Sequence, residues 1–226
     1  MFKTEAMMYP FIKKYLEDNH WRVRSEVLKF DVVGNQDETL TIIEMKLVFS
    51  MHLIYQACIA HKFAHYVWVA LPDIEMFAKT SAKKKTARKK IKEMTLICQR
   101  MNLGLLLVSD GLVRPVVKPG LSAFYNMRYG KKILKESNGR PVDENVGGTT
   151  GVTLMTSYRY NVIRVAQALI GSQSGQTAKE LGSLLNLDSK EVYNILYCNY
   201  YKWFRAYSRG HYGLTDKGAQ EILTYS

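Results

Sequence analysis

Acidic side chains are scarce in this chain. Against 32 Lys and Arg stand 20 Asp and Glu, a formal net charge of +12 with a pI near 9.5. That imbalance argues for a polyanionic partner, nucleic acid or an anionic membrane surface, and says nothing about fold. Long apolar runs are missing too. No stretch approaches the roughly 18 apolar residues needed to span a bilayer. The opening MFKTEAMMYP lacks a signal-peptide core, so no membrane partner is expected. Cysteine is sparse: Cys58, Cys98 and Cys198 are scattered, with no CxxC pair. This excludes a disulfide framework and a zinc knuckle, and suits three core or surface thiols in a reducing cytoplasm. What is present suffices to fold. With 47% hydrophobic and 12% aromatic residues among 226, the chain can bury a real core, as one large domain or two small ones.

One stretch organises the first half. Phe30 to Lys46, FDVVGNQDETLTIIEMK, predicts a hairpin of two β-branched apolar runs with GNQDET as turn. Glu44 and Lys46, two apart, project from one strand face. Both sit among Ile42, Ile43, Met45 and Leu47, where a charge is costly unless paired or bound to metal. Asp31 heads the preceding strand and is expected beside Glu44. Two acids and a lysine at one point suit Mg²⁺, or Mn²⁺ in its place. Asp31, Glu44 and the Met45 carbonyl would be ligands, with Lys46 positioning or helping to deprotonate a metal-bound water. Gln56 on the next helix would orient Lys46 or contact phosphate, and Glu5 would supply an outer acid. The plain alternatives are a salt-bridged edge strand for Asp31, Glu44 and Lys46, and ordinary exposed helix positions for Glu5 and Gln56.

Around this hairpin the periodicity predicts a helix over 3–18, with Pro10 either kinking it or marking its true start, and a strand over 21–29. A helix over 50–65 and a buried strand over 66–71 follow, giving an α/β layer with a mixed sheet. His61 and His65 have the i, i+4 spacing of a zinc pair. No Glu of an HExxH motif and no third ligand accompany them, so packing or stacking is the better reading. Glu26 and Asp37 are spare acids, Glu26 a further site candidate and Asp37 turn chemistry. Seven of the ten residues from Lys83 to Lys92 are basic. So much positive charge at a helix N-terminus opposes the macrodipole. Lys83, Lys84, Lys85, Arg88 and Lys89 are therefore candidate phosphate contacts, the alternative being a solvated helix face. A second hairpin over 105–117 carries Pro115, the mark of an edge strand.

Residues 1–120 thus read as one domain, 121–150 as a Gly-, Asn- and Pro-dense linker open to partial ordering against one of the domains, and 151–226 as a second domain. In the second, three helices precede a hairpin with Arg209-Gly210 at its tip, the winged helix-turn-helix pattern. Lys190, Tyr193 and Asn194 lie on the presumed recognition helix, Arg205 and Arg209 on the wing. Protein contact or dimerisation is the alternative use of such a fold.

Together Glu5, Asp31, Glu44-Met45-Lys46 and Gln56 resemble the PD-(D/E)XK nuclease superfamily in its restriction-endonuclease-like arrangement. YVWVALP, NLGLLLVSDG, ENVGG, TSYR, NYYKWF and RGHYGLTDKG resemble an uncharacterised bacterial family of PD-(D/E)XK phosphodiesterases over nearly the whole chain. Phe30 rather than Pro precedes Asp31, a departure the superfamily tolerates. The resemblance implies a divalent-metal phosphodiesterase acting on nucleic acid and no particular substrate; double-stranded DNA is the partner expected here, with a homodimer as one assembly. The competing expectation is a winged-helix DNA-binding regulator whose nuclease-like half is an inactive scaffold.

Overall fold

The computed structural model describes residues 1–149, 151–172 and 174–225 and divides into two units, Met1–Met155 and Thr156–Ser226. In the first unit a six-stranded mixed sheet runs in the order β1-β2-β3-β4-β5-β6. Its strands are β1 (Arg22–Val27), β2 (Phe30–Gln36), β3 (Thr39–Met45), β4 (Tyr66–Pro72), β5 (Gly104–Ser109) and β6 (Leu112–Val117). β3, β4 and β5 are parallel to one another, and every other pairing is antiparallel. The helices are α1 (Tyr9–Asp18), α2 (Met51–Ala60), α3 (Ser81–Arg100) and α4 (Met127–Asn138). This mixed sheet flanked by helices is consistent with a restriction-endonuclease-like layout.

Strand alternation builds two core layers. Ile42, Val69, Leu105 and Leu107 pack with Leu53, Ala57, Ile91 and Cys98 of α2 and α3. Ile43, Met45, Leu106 and Val108 face Met8, Ile12 and Leu16 at the first helix. Because both faces are covered, the central strands read as continuous apolar runs. Ser50, Thr80 and Asn126 cap α2, α3 and α4 through their side-chain oxygens, satisfying backbone N–H groups that have no helical partner.

Three local expectations change. The helix over 3–18 begins only at Tyr9, with Pro10 in its first turn, after a short 3₁₀ turn at Glu5–Met7; proline is tolerated there because no N–H is needed. The turn in GNQDET shrinks to Asp37-Glu38, both at positive φ, while Gly34, Asn35 and Gln36 extend β2. Gly34 pairs with Thr41, and a Cβ there would stand 2.7 Å from the Thr41 methyl and 3.2 Å from the Trp21 ring. Residues 121–150, expected as linker, carry α4 and a buried polar network; Thr150 lies outside the described residues. Pro115 does lie on the edge strand, β6.

That network centres on Asp143, whose side chain is 2% exposed. It accepts hydrogen bonds from the Ser25 N–H (2.9 Å), the Ser25 hydroxyl (3.0 Å), Lys13 (3.0 Å) and the Tyr9 hydroxyl. Arg24 donates to the carbonyls of Arg140 (2.9 Å) and Pro141 (2.7 Å), and Arg140 donates to Ser25 O (2.9 Å). Segment 140–145 is thereby laced to α1 and β1.

The second unit contains α5 (Ser157–Ala168), β7 (Gln176–Thr177), α6 (Ala178–Leu185) and α7 (Ser189–Cys198). β8 (Phe204–Ser208), β9 (His211–Leu214) and α8 (Asp216–Ile222) complete it. The strands form a small sheet in the order β7-β9-β8. Thr177 and Glu180 make the capping box their spacing predicts. Trp203 is 2% exposed, and its indole N–H donates to Glu221 at 2.7 Å. Among the described residues no helix is long and apolar enough to cross a membrane.

Burial pushes the Asp143 carboxyl upward, but the bonds from Ser25, Tyr9 and Lys13 outweigh it and hold the group below its usual range. A depressed carboxylate contributes stability above its unfolded value near 4, lost as pH falls through the folded value. Asp143→Ala is expected to cost about 2–4 kcal/mol at pH 7. The gap to wild type should narrow toward pH 3, as measured by denaturant unfolding across pH.

Candidate active site

The sheet register brings the acids together. Val32 pairs with Ile43, so one step further Asp31 stands opposite Glu44. The Met45 N–H donates to Asp31 Oδ2 at 2.8 Å and fixes that carboxylate. β3 is the third strand of six, so the site lies at the carboxyl end of an interior strand, not on an edge strand. Lys46 follows directly, its N–H bonded to Ala70 O at 3.1 Å. Its amine reaches back to Glu5 Oε2 at 2.8 Å, the two side chains each 25% exposed. Four of the five residues expected at the catalytic centre therefore converge, each presented by a different local feature. Gln56 lies midway along α2, which packs on β3.

Glu44 is 1% exposed. Its Oε2, like Gln56 Oε1, is buried without a hydrogen-bond partner among the described residues. Burial, then the neighbouring Asp31 charge, push the Glu44 carboxyl up to about 8, with Lys46 only partly offsetting them. Asp31 is also raised, chiefly by burial, against the Met45 N–H and the Lys46 charge. Burial pulls Lys46 down, but the Glu5 hydrogen bond and the Asp31 and Glu44 charges outweigh it and raise the amine. It is therefore held as a charged donor, not as a neutral base. Among the described residues no cluster of three or more His, Cys, Asp and Glu is placed to hold a metal ion. The oxygens here are the Asp31 and Glu44 carboxylates and the Met45 carbonyl, with the Glu5 carboxylate behind Lys46 and the Glu26 charge also acting on the acids. Such a hard, under-neutralised set, with one orphaned carboxylate oxygen, fits a hard divalent cation that keeps several waters.

The expected phosphate contacts sit in exposed positions. Lys83, Lys84, Lys85, Arg88 and Lys89 line the first half of α3, with Arg88 already paired to Glu75 at 2.6 Å. Lys90, absent from that set, lines a groove of about 490 Å³ with Leu47, Val48 and Phe49, directly beyond Lys46. In the second unit Lys190, Tyr193 and Asn194 are exposed on α7, opposite buried Val192, Ile195 and Leu196. The Tyr193 and Tyr197 rings stack at 5.7 Å. Arg205 and Arg209 are exposed on and beside β8, Arg205 lying over the Tyr207 ring at 5.0 Å. The histidines are structural. His61 Nε2 lies 3.2 Å from Met101 O, while His65 Nδ1 accepts from the Leu40 N–H and its ring stacks on Tyr125.

Sequence reasoning passed over Tyr9, Asp143 and the glycines of ENVGG, all of which press on or brace the site. The paired glycines were the only signal available, because the other contacts span more than 100 residues.

A family model described as "Putative PD-(D/E)XK phosphodiesterase (DUF2161)" matches residues 106–221, just over half of the chain, and the chain belongs to that family. The match starts in β5 and ends in α8, so Glu5, Asp31, Glu44, Lys46 and Gln56 lie outside it. No curated protein and no solved structure matches the chain.

Because the folded Glu44 carboxyl titrates far above its unfolded value near 4.3, folding strongly favours its protonated form. Its destabilising effect therefore grows as pH rises from about 4.3 toward 8 and is complete above that. In chelator, Glu44→Gln is expected to raise the melting temperature on the order of 5 °C at pH 8, and less at pH 5.

Proposed function

Taking that family membership as the premise, we propose that the protein hydrolyses nucleic-acid phosphodiesters, DNA foremost, in a divalent-metal-dependent reaction. The observation that carries this reading is the convergence of Asp31, Glu44 and a charged Lys46 at the end of one interior strand pair. Asp31, Glu44 and the Met45 carbonyl would hold Mg²⁺ or Mn²⁺. A cation bound there supplies Lewis-acid polarisation of the phosphate and lowers the pKa of a bound water.

The chain's own side chains do the rest. Asp31 is locked by the Met45 N–H, so little reordering accompanies binding. Lys46, steadied by Glu5, keeps its proton and presents N–H donors to the phosphate oxygens as negative charge develops on them. Gln56 keeps an oxygen, unpartnered among the described residues, able to accept from a water and orient it. The basic first half of α3 supplies backbone phosphate contacts.

For the second unit, the order helix, short strand, helix, helix and hairpin supports a winged helix. In that reading α7 presents Lys190, Tyr193 and Asn194 to the nucleic acid, and Arg205 and Arg209 contact phosphates from the wing. Three free cysteines suit a cytoplasmic setting.

Purified protein incubated with supercoiled, linear and single-stranded DNA, with Mg²⁺, Mn²⁺ or chelator, tests the proposal. Cleavage that needs metal and is lost in Asp31→Ala is expected. Lys46→Ala should lower kcat on the order of 100- to 1,000-fold while leaving DNA binding intact. Salt-sensitive DNA binding without cleavage under any condition would instead favour a DNA-binding regulator.

A further inference from the structure

A turn distant in sequence presses directly on the acidic site. Gly147 is buried, and a Cβ there would stand 2.8 Å from the Asp31 carbonyl oxygen, 2.9 Å from the Tyr9 ring and 3.1 Å from the Met45 methyl. Gly148 follows at φ +75°, where a Cβ would meet Glu5 Cβ at 2.7 Å and Ala6 N at 3.1 Å. Two successive glycines thus let bare backbone lie against Asp31, Met45 and Glu5, a closeness and a φ that no other residue accommodates without strain.

The turn is pinned on both sides. Glu26 Oε1 accepts from the Gly148 N–H at 2.7 Å and the carboxylate also takes the Thr149 N–H. Upstream, Asn145 O accepts from the Ser25 hydroxyl at 2.7 Å, and the Asn145 amide bonds the Met155 N–H (2.8 Å) and carbonyl (3.0 Å). Glu26 sits at φ +50°, an uncommon backbone state for glutamate. It stands next to Ser25, which helps hold Asp143 and Asn145, so β1 supplies anchors at three points of the segment 143–149. The turn also lies within residues 106–221 and carries that matched stretch to acids that lie outside it.

We propose that the Gly147–Gly148 turn, clamped by Glu26, positions the active site, making Glu26, Gly147 and Gly148 positioning residues for the phosphodiesterase reaction. The turn backs the Asp31 peptide, so its carboxylate stays on the Met45 N–H, and it fixes the 3₁₀ turn from which Glu5 holds Lys46. Releasing it lets the acids and the lysine drift apart while the fold persists. The inference rests on the proposed function above and adds to it the element that sets the site's geometry.

The test uses the full-length protein with Gly147→Ala, Glu26→Ala and Glu26→Gln. Gly151→Ala serves as control, since Gly151 has φ +73° but nothing within 4 Å of its would-be Cβ. Mn²⁺ affinity by calorimetry, kcat and KM on DNA, and thermal melting are measured for each. Gly147→Ala and Glu26→Ala should melt cooperatively and bind Mn²⁺ at least about tenfold more weakly. Their kcat should fall on the order of 100-fold with KM within about threefold. Glu26→Gln, which keeps an acceptor oxygen, should recover most of the loss, and Gly151→Ala should track wild type. If Gly147→Ala fails to fold, the Glu26 pair decides alone. Wild type that binds Mn²⁺ and cleaves, with Gly147→Ala and Glu26→Ala no worse than Gly151→Ala, would overturn the positioning role alone. Wild type that neither binds Mn²⁺ nor cleaves would overturn the nuclease reading and this inference with it.

Discussion

Glu44 places a carboxylate on an interior strand, 1% exposed, directly opposite a second carboxylate on the neighbouring strand. Leaving a buried charge uncompensated costs on the order of several kcal/mol. A core strand tolerates it only where something else requires it. The surrounding structure is arranged to hold this unfavourable pair in place. Asp31 is tied to the Met45 N–H, and the amine of Lys46, which with Lys29 partly offsets the charge on Glu44, is turned toward Glu5. Glu44 is left with an oxygen that nothing among the described residues satisfies. Its electrostatic strain is what a divalent cation would relieve.

The scaffold around the pair is rigid for ordinary reasons. Two apolar layers clamp the sheet on both faces, and parallel pairing of β3 with β4, and of β4 with β5, puts the acidic end of β3 at the carboxyl edge of the interior strands. Open α/β sheets commonly bind ligands at that edge. Less ordinary is the role of segment 140–149. It reaches across the sequence to β1 and the first helix through Asp143, Arg140 and Asn145, then lays two glycines against the acids. Buried polar networks of this kind specify one arrangement because breaking any member strands its partners.

The pair and its lysine were legible because they break a strong pattern. Charges two residues apart in a β-branched run violate strand logic unless they do something. The strands, the mixed character of the sheet, the edge position of the Pro115 strand and the Thr177–Glu180 capping box followed from the same alternation and spacing rules. The role of residues 121–150 was not legible. Their glycines, asparagines and prolines follow loop statistics, while their actual order comes from contacts more than 100 residues away. Gly130 inside α4 sits against Tyr125, a local fit that composition hides. The turn was placed within GNQDET but drawn too long, because the positive φ values of Asp37 and Glu38 carry no glycine to announce a two-residue turn. Gln56 and Glu5 were candidates from the sequence with ordinary exposed helix positions as the alternative; the structure adds the buried oxygen of Gln56 and the reach of Lys46 to Glu5.

The central claim is that Asp31 and Glu44 form a divalent-metal site. Crystals grown with Mn²⁺, with diffraction recorded at the manganese absorption edge, test it most directly. The account predicts an anomalous peak in contact with both carboxylates and the Met45 carbonyl, lost in Glu44→Gln. A fully occupied manganese bound elsewhere, with the two carboxylates still metal-free, would contradict it.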